Sequence, residues 1–497
     1  MPLFRPQSPA VPRRPWASLL PGLLIALAAC GGQRDDGRPN VLLVVIDTAR
    51  ADKFGCYGHP GGLTPAVDRL AAEGVLFERA LAHAPWTLPS TASLLTSLHP
   101  QEHGAGGHLD LEPLTRGQGP RVAFTALADD NHTVVEAFRA AGWRTGAVVN
   151  VDFLDEDFGL TQGVDDLDAR WYASNEEVRS AAETTDQALA WLDERAGEPF
   201  FLLAHYFDAH AVYAPPAEYR RRFAAPVDRE DGGFVFGTRA HMLMLRAGQL
   251  ELDPALIERA ERLYEAELAY VDAQVGRLFE GLAERGLEQD TLVVLTADHG
   301  EEFLEHGGFE HGHSLHEELL SVPLVMRMPG RLPAGARVDG SAALIDVAPT
   351  LCELVGLDAP ASFSGRGLLA AARDGAVPER PVLSHGNFWG APLESWESGP
   401  WKLVLVPVEN GERAARLYDR ATDPAELRDV ATEHPAIVER LRAELASVHE
   451  LLASRASGQE VELSAERRAR LEALGYLGPG EVEDESGGDA ASEDAPE

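Results

Sequence analysis

The sequence predicts an α/β fold: a largely parallel central sheet flanked by helices, followed by a smaller C-terminal α+β subdomain. Two patterns predict it. Short, fully apolar runs recur along the first three quarters of the chain with helical stretches between them, and after about residue 376 that alternation gives way to a different spacing. Apolar runs without polar alternation are what strands covered on both faces look like, and helices between them supply the cover.

The runs in order are Val41 to Ile46, Gly146 to Val149, Phe200 to Tyr206, Leu292 to Thr296 and Pro323 to Met326, each read as a buried strand. The clearest helix carries Tyr264, Leu268, Val271, Val275, Leu278 and Leu282 at alternating spacings of four and three, which puts them on one face. Beyond residue 376, Trp401 to Val406 and Arg416 to Tyr418 read as strands, and Val438, Leu441, Leu445, Val448 and Leu452 as the apolar face of a helix. Residues 225 to 255 read as an irregular insertion or lid. The domain organisation expected is a leader over 1–29, a polar segment over 30–38, a catalytic domain over 39–375, the C-terminal subdomain over 376–455 and a tail over 456–497.

The ends differ from the body. Residues 1 to 29 join Arg5, Arg13 and Arg14 to an apolar run from Trp16 to Ala29 with no acidic residue, a secretory signal pattern. From about residue 478 the tail holds eight acidic residues and no basic one, so it is expected to be solvated and disordered. The whole chain of 497 residues carries 80 acidic and 43 basic side chains, a net charge of −37. Leader and tail do not account for this acidity. It belongs to the folded body and makes nucleic acid an unsuitable partner; no protein partner is evident. Three cysteines allow one disulfide at most, and Cys56 and Cys352 sit in apolar contexts that suit buried thiols.

Two of the strand runs end in acids. Val41 to Ile46 leads into Asp47, and Leu292 to Thr296 leads through Ala297 into Asp298-His299-Gly300. Ligands of open α/β sheets bind beyond the carboxyl ends of strands, so these side chains can converge, and two carboxylates with an imidazole suit a divalent metal. Between them lies Ala84-Pro-Trp-Thr87-Leu-Pro89-Ser-Thr-Ala-Ser-Leu-Leu-Thr96, where Pro89 marks a helix start and places Thr87 at the helix's positive end. A hydroxyl there either caps the helix or, with a metal on the same oxygen, becomes a nucleophile towards an anionic centre.

Pro39-Asn-Val-Leu-Leu-Val-Val-Ile-Asp47-Thr-Ala-Arg50, Gly55-Cys-Tyr-Gly58, Thr64-Pro-Ala-Val-Asp68, the Thr87 segment, Thr296-Ala-Asp298-His299-Gly300-Glu301 and Glu317 to Pro323 together resemble the sulfatases of the alkaline phosphatase superfamily. The similarity runs from about Pro39 to Leu369, with Trp401-Lys402-Leu403 and Leu417-Tyr418-Asp419 resembling the family's C-terminal subdomain. The resemblance implies an alkaline-phosphatase-like fold and hydrolysis of an anionic ester. Where the family has a cysteine or serine matured to formylglycine, this chain has Thr87, which cannot be converted, so no formylglycine is expected. The motif arginine is replaced by Thr91, and a Lys-x-His by Val149-Asn150-Val151.

These replacements resemble the superfamily's threonine-nucleophile branches. By that resemblance Asp47, Thr87, Asp298 and His299 hold one metal, with zinc or manganese favoured by the histidine and calcium the alternative. His210 and His313 fall where the family contacts the ester and its leaving group. Asp208, His210, His311 and His313 therefore form either a substrate-binding group or a second metal site. Leu27-Ala28-Ala29-Cys30 resembles a bacterial lipobox, which implies an exported lipoprotein of a bacterial cell envelope, anchored to the membrane through lipid on Cys30. The other readings are transfer of a phospho group to envelope glycans and a catalytically inactive binding lipoprotein on the same scaffold.

Overall fold

A computed structural model describes residues 37–110, 121–170, 179–195, 197–224, 254–408, 411–452, 458–461, 463–464, 466–468 and 471. The expected leader and Cys30, nearly all of the expected lid and the acidic end of the tail lie outside the described residues.

Strands β1 (Asn40–Ile46), β2 (Val75–Leu81), β3 (Arg144–Val149), β4 (Asp166–Ala169), β5 (Phe200–Tyr206), β6 (Thr291–Thr296), β7 (Ser321–Val322), β8 (Leu324–Arg327) and β9 (Ala336–Ala343) form one sheet. Its centre runs β8-β6-β1-β5-β3-β4. From β6 to β4 every pairing is parallel, while β8 runs antiparallel to both β6 and β2. All seven residues of β1 and of β5 are buried, because helices cover both faces.

The helices that matter to the site are α1 (Pro65–Glu73), α2 (Thr87–Thr96), α3 (Ala181–Glu194) and α4 (Pro254–Glu284). The predicted apolar stripe lies on α4, where Tyr264, Leu268, Val271, Val275, Leu278 and Leu282 are all buried. The N-terminus of α3 is set by Ser180, whose hydroxyl accepts from Glu183 N while the Glu183 carboxylate accepts from Ser180 N. Helix α2 begins at Thr87, two residues before the expected start, with Pro89 in the first turn, where its missing N–H costs no helix bond. Among the described residues no helix is long and apolar enough to cross a membrane. Cys56 and Cys352 are both free thiols.

The C-terminal part is a four-stranded antiparallel sheet, β10 (Val382–Gly386), β11 (Leu393–Ser398), β12 (Trp401–Pro407) and β13 (Arg413–Asp419), with α5 (Pro435–Leu452) packed on it. Leu383, Trp396, Leu403, Leu417, Leu441 and Leu445 form its own apolar cluster. The segment expected to be tail from residue 456 departs from that reading over its described part. Gln459–Glu460 pairs with the strand Arg121–Ala126, Leu471 is fully buried, and Arg467 is ion-paired to Asp155 and Asp157. Local composition hid this, because the pairing partner lies more than 300 residues earlier.

Charged side chains join the two sheets. Arg79 of β2 meets Glu317 and Glu397, each at 2.8 Å, and Lys402 Nζ lies 2.7 Å from Glu426 Oε1. His316 Nδ1 is 2.9 Å from Glu426, and its ring stacks on His306 at 3.6 Å between centroids. His306 Nδ1 lies 2.6 Å from Glu318. Burial pulls the His306 imidazole down, but the hydrogen bond and charge of Glu318 overturn this and raise it to about 9. Folding therefore favours its protonated form. That contribution is complete below the unfolded pKa of about 6.5 and is lost as pH rises through about 9. Urea unfolding of the wild type is expected to show falling stability from pH 6.5 to 9.5, and His306→Gln is expected to flatten that slope. An unchanged slope in the variant contradicts the assignment.

Candidate active site

The carboxyl ends of β1, β5 and β6 are neighbours, and each delivers a side chain to one buried point. In register, Val45 of β1 stands between His205 of β5 and Thr296 of β6. Asp47 follows β1, Asp298 and His299 follow β6, and all three are fully buried together with His205 and Thr87. His205 Nε2 lies 3.4 Å from Asp47 Oδ2. His299 Nε2 lies 3.4 Å from Asp298 Oδ2, 3.8 Å from Asp47 Oδ1 and 3.3 Å from Thr87 Oγ1.

The backbone is shaped to this end. Asp47 N donates to Tyr206 O at 2.9 Å, and Thr48, at φ +56°, donates its N–H to Asp298 Oδ1 at 3.2 Å. Tyr264 of α4 donates its hydroxyl to Thr48 O at 2.8 Å. Gly300 allows the chain to leave the site, since a Cβ there would lie 2.0 Å from Glu318 O.

The donor set fits a divalent cation. Both carboxylate oxygens of Asp47, Oδ2 of Asp298 and both ring nitrogens of His205 are buried without a hydrogen-bond partner. His299 Nδ1 donates to Gly300 O at 2.9 Å, a tautomer assigned from that bond, which leaves the Nε2 lone pair facing two carboxylates. Oxygen and nitrogen lone pairs gathered at one buried point are what a divalent cation would neutralise. Burial first, and then the Asp298 carboxylate, push Asp47 well above the usual carboxylate range, which a bound ion would reverse.

His205 is the member of this buried cluster that sequence reasoning left out of its candidate metal set. It sits inside an apolar run as that run's sole imidazole, and only the β1-β5 pairing reveals that it faces Asp47.

The outer group assembles in part. The His311 ring lies 4.6 Å from that of His299 and 4.8 Å from that of His210, and His210 stacks on Phe207 at 4.4 Å. His311 Nδ1 is 2.9 Å from Glu301 Oε1, and Glu301 is fully buried. His313 is not beside them. The turn at Gly312, φ +80°, sends it away to Glu302, 2.7 Å from its Nε2.

Oδ1 of Asp208 accepts from Ala181 N at 2.8 Å in the first turn of α3, Oδ2 is buried without a hydrogen-bond partner, and burial raises the carboxyl to about 7. Asp208, His210, His311 and His313, considered as a second metal site, do not supply a trio of donor atoms within 4.8 Å of one another. Among the described residues, the trios of acidic and histidine side chains with donor atoms within 4.8 Å of one another are Asp47/His205/Asp298 and Glu302/His306/Glu318. In the latter, Glu318 pairs with His306, while the Glu302 carboxylate accepts from the His306 and Gly308 backbone.

Comparison with known proteins shows what this arrangement belongs to. The sulfatase family model matches residues 39–357. The chain belongs to the sulfatase family. It is a hydrolase of sulfate or phosphate esters. This sulfatase-family chain is similar to the uncharacterized sulfatase YidJ of Escherichia coli K12, 27% identical over 439 residues that cover 79% of this chain and 83% of the relative. It is also similar to the multifunctional alkaline phosphatase superfamily protein PehA of Trinickia caryophylli, 27% identical over 420 residues, 71% of this chain and 80% of the relative. Among solved structures, the phosphonate monoester hydrolase of Agrobacterium radiobacter shares the fold at a TM-score of 0.64 and 22% identity, over 86% of this chain and 100% of that one.

Proposed function

We propose that Thr87 is the nucleophile of this hydrolase and attacks an anionic ester at a centre where Asp47, His205, Asp298 and His299 hold one divalent cation. The observation that carries the reading is the place of Thr87: fully buried, in the first turn of α2, with Oγ1 3.3 Å from His299 Nε2. The positive end of the α2 dipole at that turn favours an anionic ester. A cation in such a site would lower the pKa of the hydroxyl and draw charge from an ester oxygen. Two imidazole ligands favour zinc or manganese over calcium.

His210 serves as base rather than acid. Its Nδ1 donates to Ala211 O at 2.7 Å, which leaves Nε2 as an acceptor suited to a water that attacks the threonyl ester. Attack by Thr87 Oγ1 breaks the ester's bond to its alcohol, which leaves with the proton that Thr87 gives up; the water, its proton taken by His210, then breaks the bond to Oγ1, the hydroxyl regains its proton, and the acid is released. His311 takes the place first assigned to His313 beside the substrate. Threonine cannot mature to formylglycine, so phosphodiesters and phosphonates rank ahead of sulfate esters, as the phosphonate hydrolase fold and PehA also suggest.

The test is the mature chain assayed against aryl phosphomonoester, phosphodiester, phosphonate and sulfate. Turnover is expected to be fastest on a phosphodiester or phosphonate; turnover of none overturns the reading. We infer from the leader sequence that the protein is exported and held at a membrane through lipid on Cys30. Release of a Cys30→Ser variant from the membrane fraction checks this, and retention there contradicts it.

A further inference from the structure

The loop joining β10 to β11 belongs to the C-terminal sheet, but it is bound to the catalytic segments. Phe388 N donates to Gly312 O at 2.7 Å, Gly312 N donates to Pro85 O at 2.8 Å, and Trp389 Nε1 donates to His311 O at 3.1 Å. The approach depends on glycine: a Cβ at Gly312 would lie 3.2 Å from Phe388 Cβ and 3.3 Å from Trp389 Nε1. The residues gripped in this way are Pro85, two before the nucleophile, and His311, whose ring meets those of His299 and His210.

The two aromatic residues of the loop differ in burial. Phe388 is 1% exposed and packs on Trp86 at 5.1 Å, so it is core. Trp389 stands edge-on to Phe388, at 5.1 Å and 87°, and is only half-buried. It is also held at two points, by the bond from its indole to His311 O and by the bond from its backbone N–H to Asn387 Oδ1 at 3.0 Å. A partly exposed ring fixed at its edge, one hydrogen bond from the backbone of a site histidine, is the kind of flat apolar group that can receive an organic leaving group. The metal ligands and the helix N-terminus deal with the anionic end of a substrate, while the leaving group needs a surface of another kind.

We propose that Trp389 forms the wall against which the ring of the leaving group lies, so that the enzyme selects esters of ring alcohols, aryl or pyranosyl, over those of open-chain alcohols. This rests on the Thr87 reading of the site for its orientation, but it can be tested by binding alone.

Phenylphosphonate places a ring where the leaving group would be and cannot be hydrolysed to release it; ethylphosphonate lacks the ring. Calorimetry on the metal-loaded full chain is expected to show phenylphosphonate binding about five- to tenfold more tightly than ethylphosphonate, as ring stacking allows. Trp389→Phe is expected to keep most of that preference and Trp389→Ala to abolish it. The proposal is overturned if the wild type shows no preference or binds neither compound, if Trp389→Ala keeps the preference, or if Trp389→Phe loses it as fully as Trp389→Ala. In the last case the indole N–H positions His311 and the ring is no wall. Turnover by the same samples reports separately on Thr87: a ring preference in a chain that hydrolyses no ester leaves the wall standing and removes the nucleophile.

Discussion

Thr87→Ala is expected to lower kcat by roughly 10⁴-fold or more while leaving metal content unchanged. The size follows from the removal of a nucleophile whose surroundings remain able to bind substrate but not to react. The change is small structurally, because α2 gains a good helix former and loses one hydroxyl from a buried first turn. Thr87→Ser keeps the attacking oxygen and is expected to retain measurable activity, reduced because the lost methyl leaves the hydroxyl free to rotate in a buried site. Steady-state kinetics on the best ester of the panel, with metal content measured on the same preparations, decides the matter. A Thr87→Ala enzyme within tenfold of the wild type contradicts the assignment.

Lys402→Met is expected to cost about 3–5 kcal/mol of stability, the usual penalty for removing one partner of a buried ion pair. Lys402 and Glu426 are both fully buried, with Nζ 2.7 Å and 3.0 Å from the two carboxylate oxygens. Burial alone would raise the Glu426 carboxyl; Lys402 first, and His316 after it, reverse this and hold it below its usual range. Without the lysine, Glu426 is left beside Glu317 with Arg420 and His316 to offset the two charges. Urea unfolding at pH 7 measures the loss, and adding Glu426→Gln to Lys402→Met is expected to recover part of it. A loss below 1 kcal/mol contradicts the account of this junction. Only two lysines occur in the chain, and the other, Lys53, is likewise buried against acids, Glu261 and Glu265.

What could be read from the sequence depended on whether the relevant signal was local. Asp47, Asp298 and His299 each follow an apolar run directly, so strand ends and chemistry coincide within a few residues. Thr87 was marked by the proline two residues on. His205 carries no such mark, because its role comes from the lateral order of β1 and β5, which joins residues some 160 apart. The choice between His311 and His313 turned on one left-handed glycine between them, which a count of spacings does not register. Strands β2 and β9 also escaped notice. Glu78 and Arg79 interrupt the first, Gly340 and an Asp interrupt the second, and both are satisfied by partners far along the chain, Arg337 for Glu78 and Glu317 and Glu397 for Arg79. The proposed site gives the net charge of −37 a counterpart: a chain so acidic would meet an anionic ester at a buried point whose lone pairs suit a cation.

That point is where the account is most directly tested. Metal content and ester hydrolysis should be measured on one preparation of the mature chain before chelation, after chelation and after return of zinc or manganese, with His205→Ala beside it. The expected result is about one equivalent of metal in the wild type, activity lost and regained with it, and metal affinity weakened at least about a hundredfold in His205→Ala. A chain that hydrolyses esters equally well when stripped of metal, or whose affinity is unchanged by His205→Ala, contradicts the account.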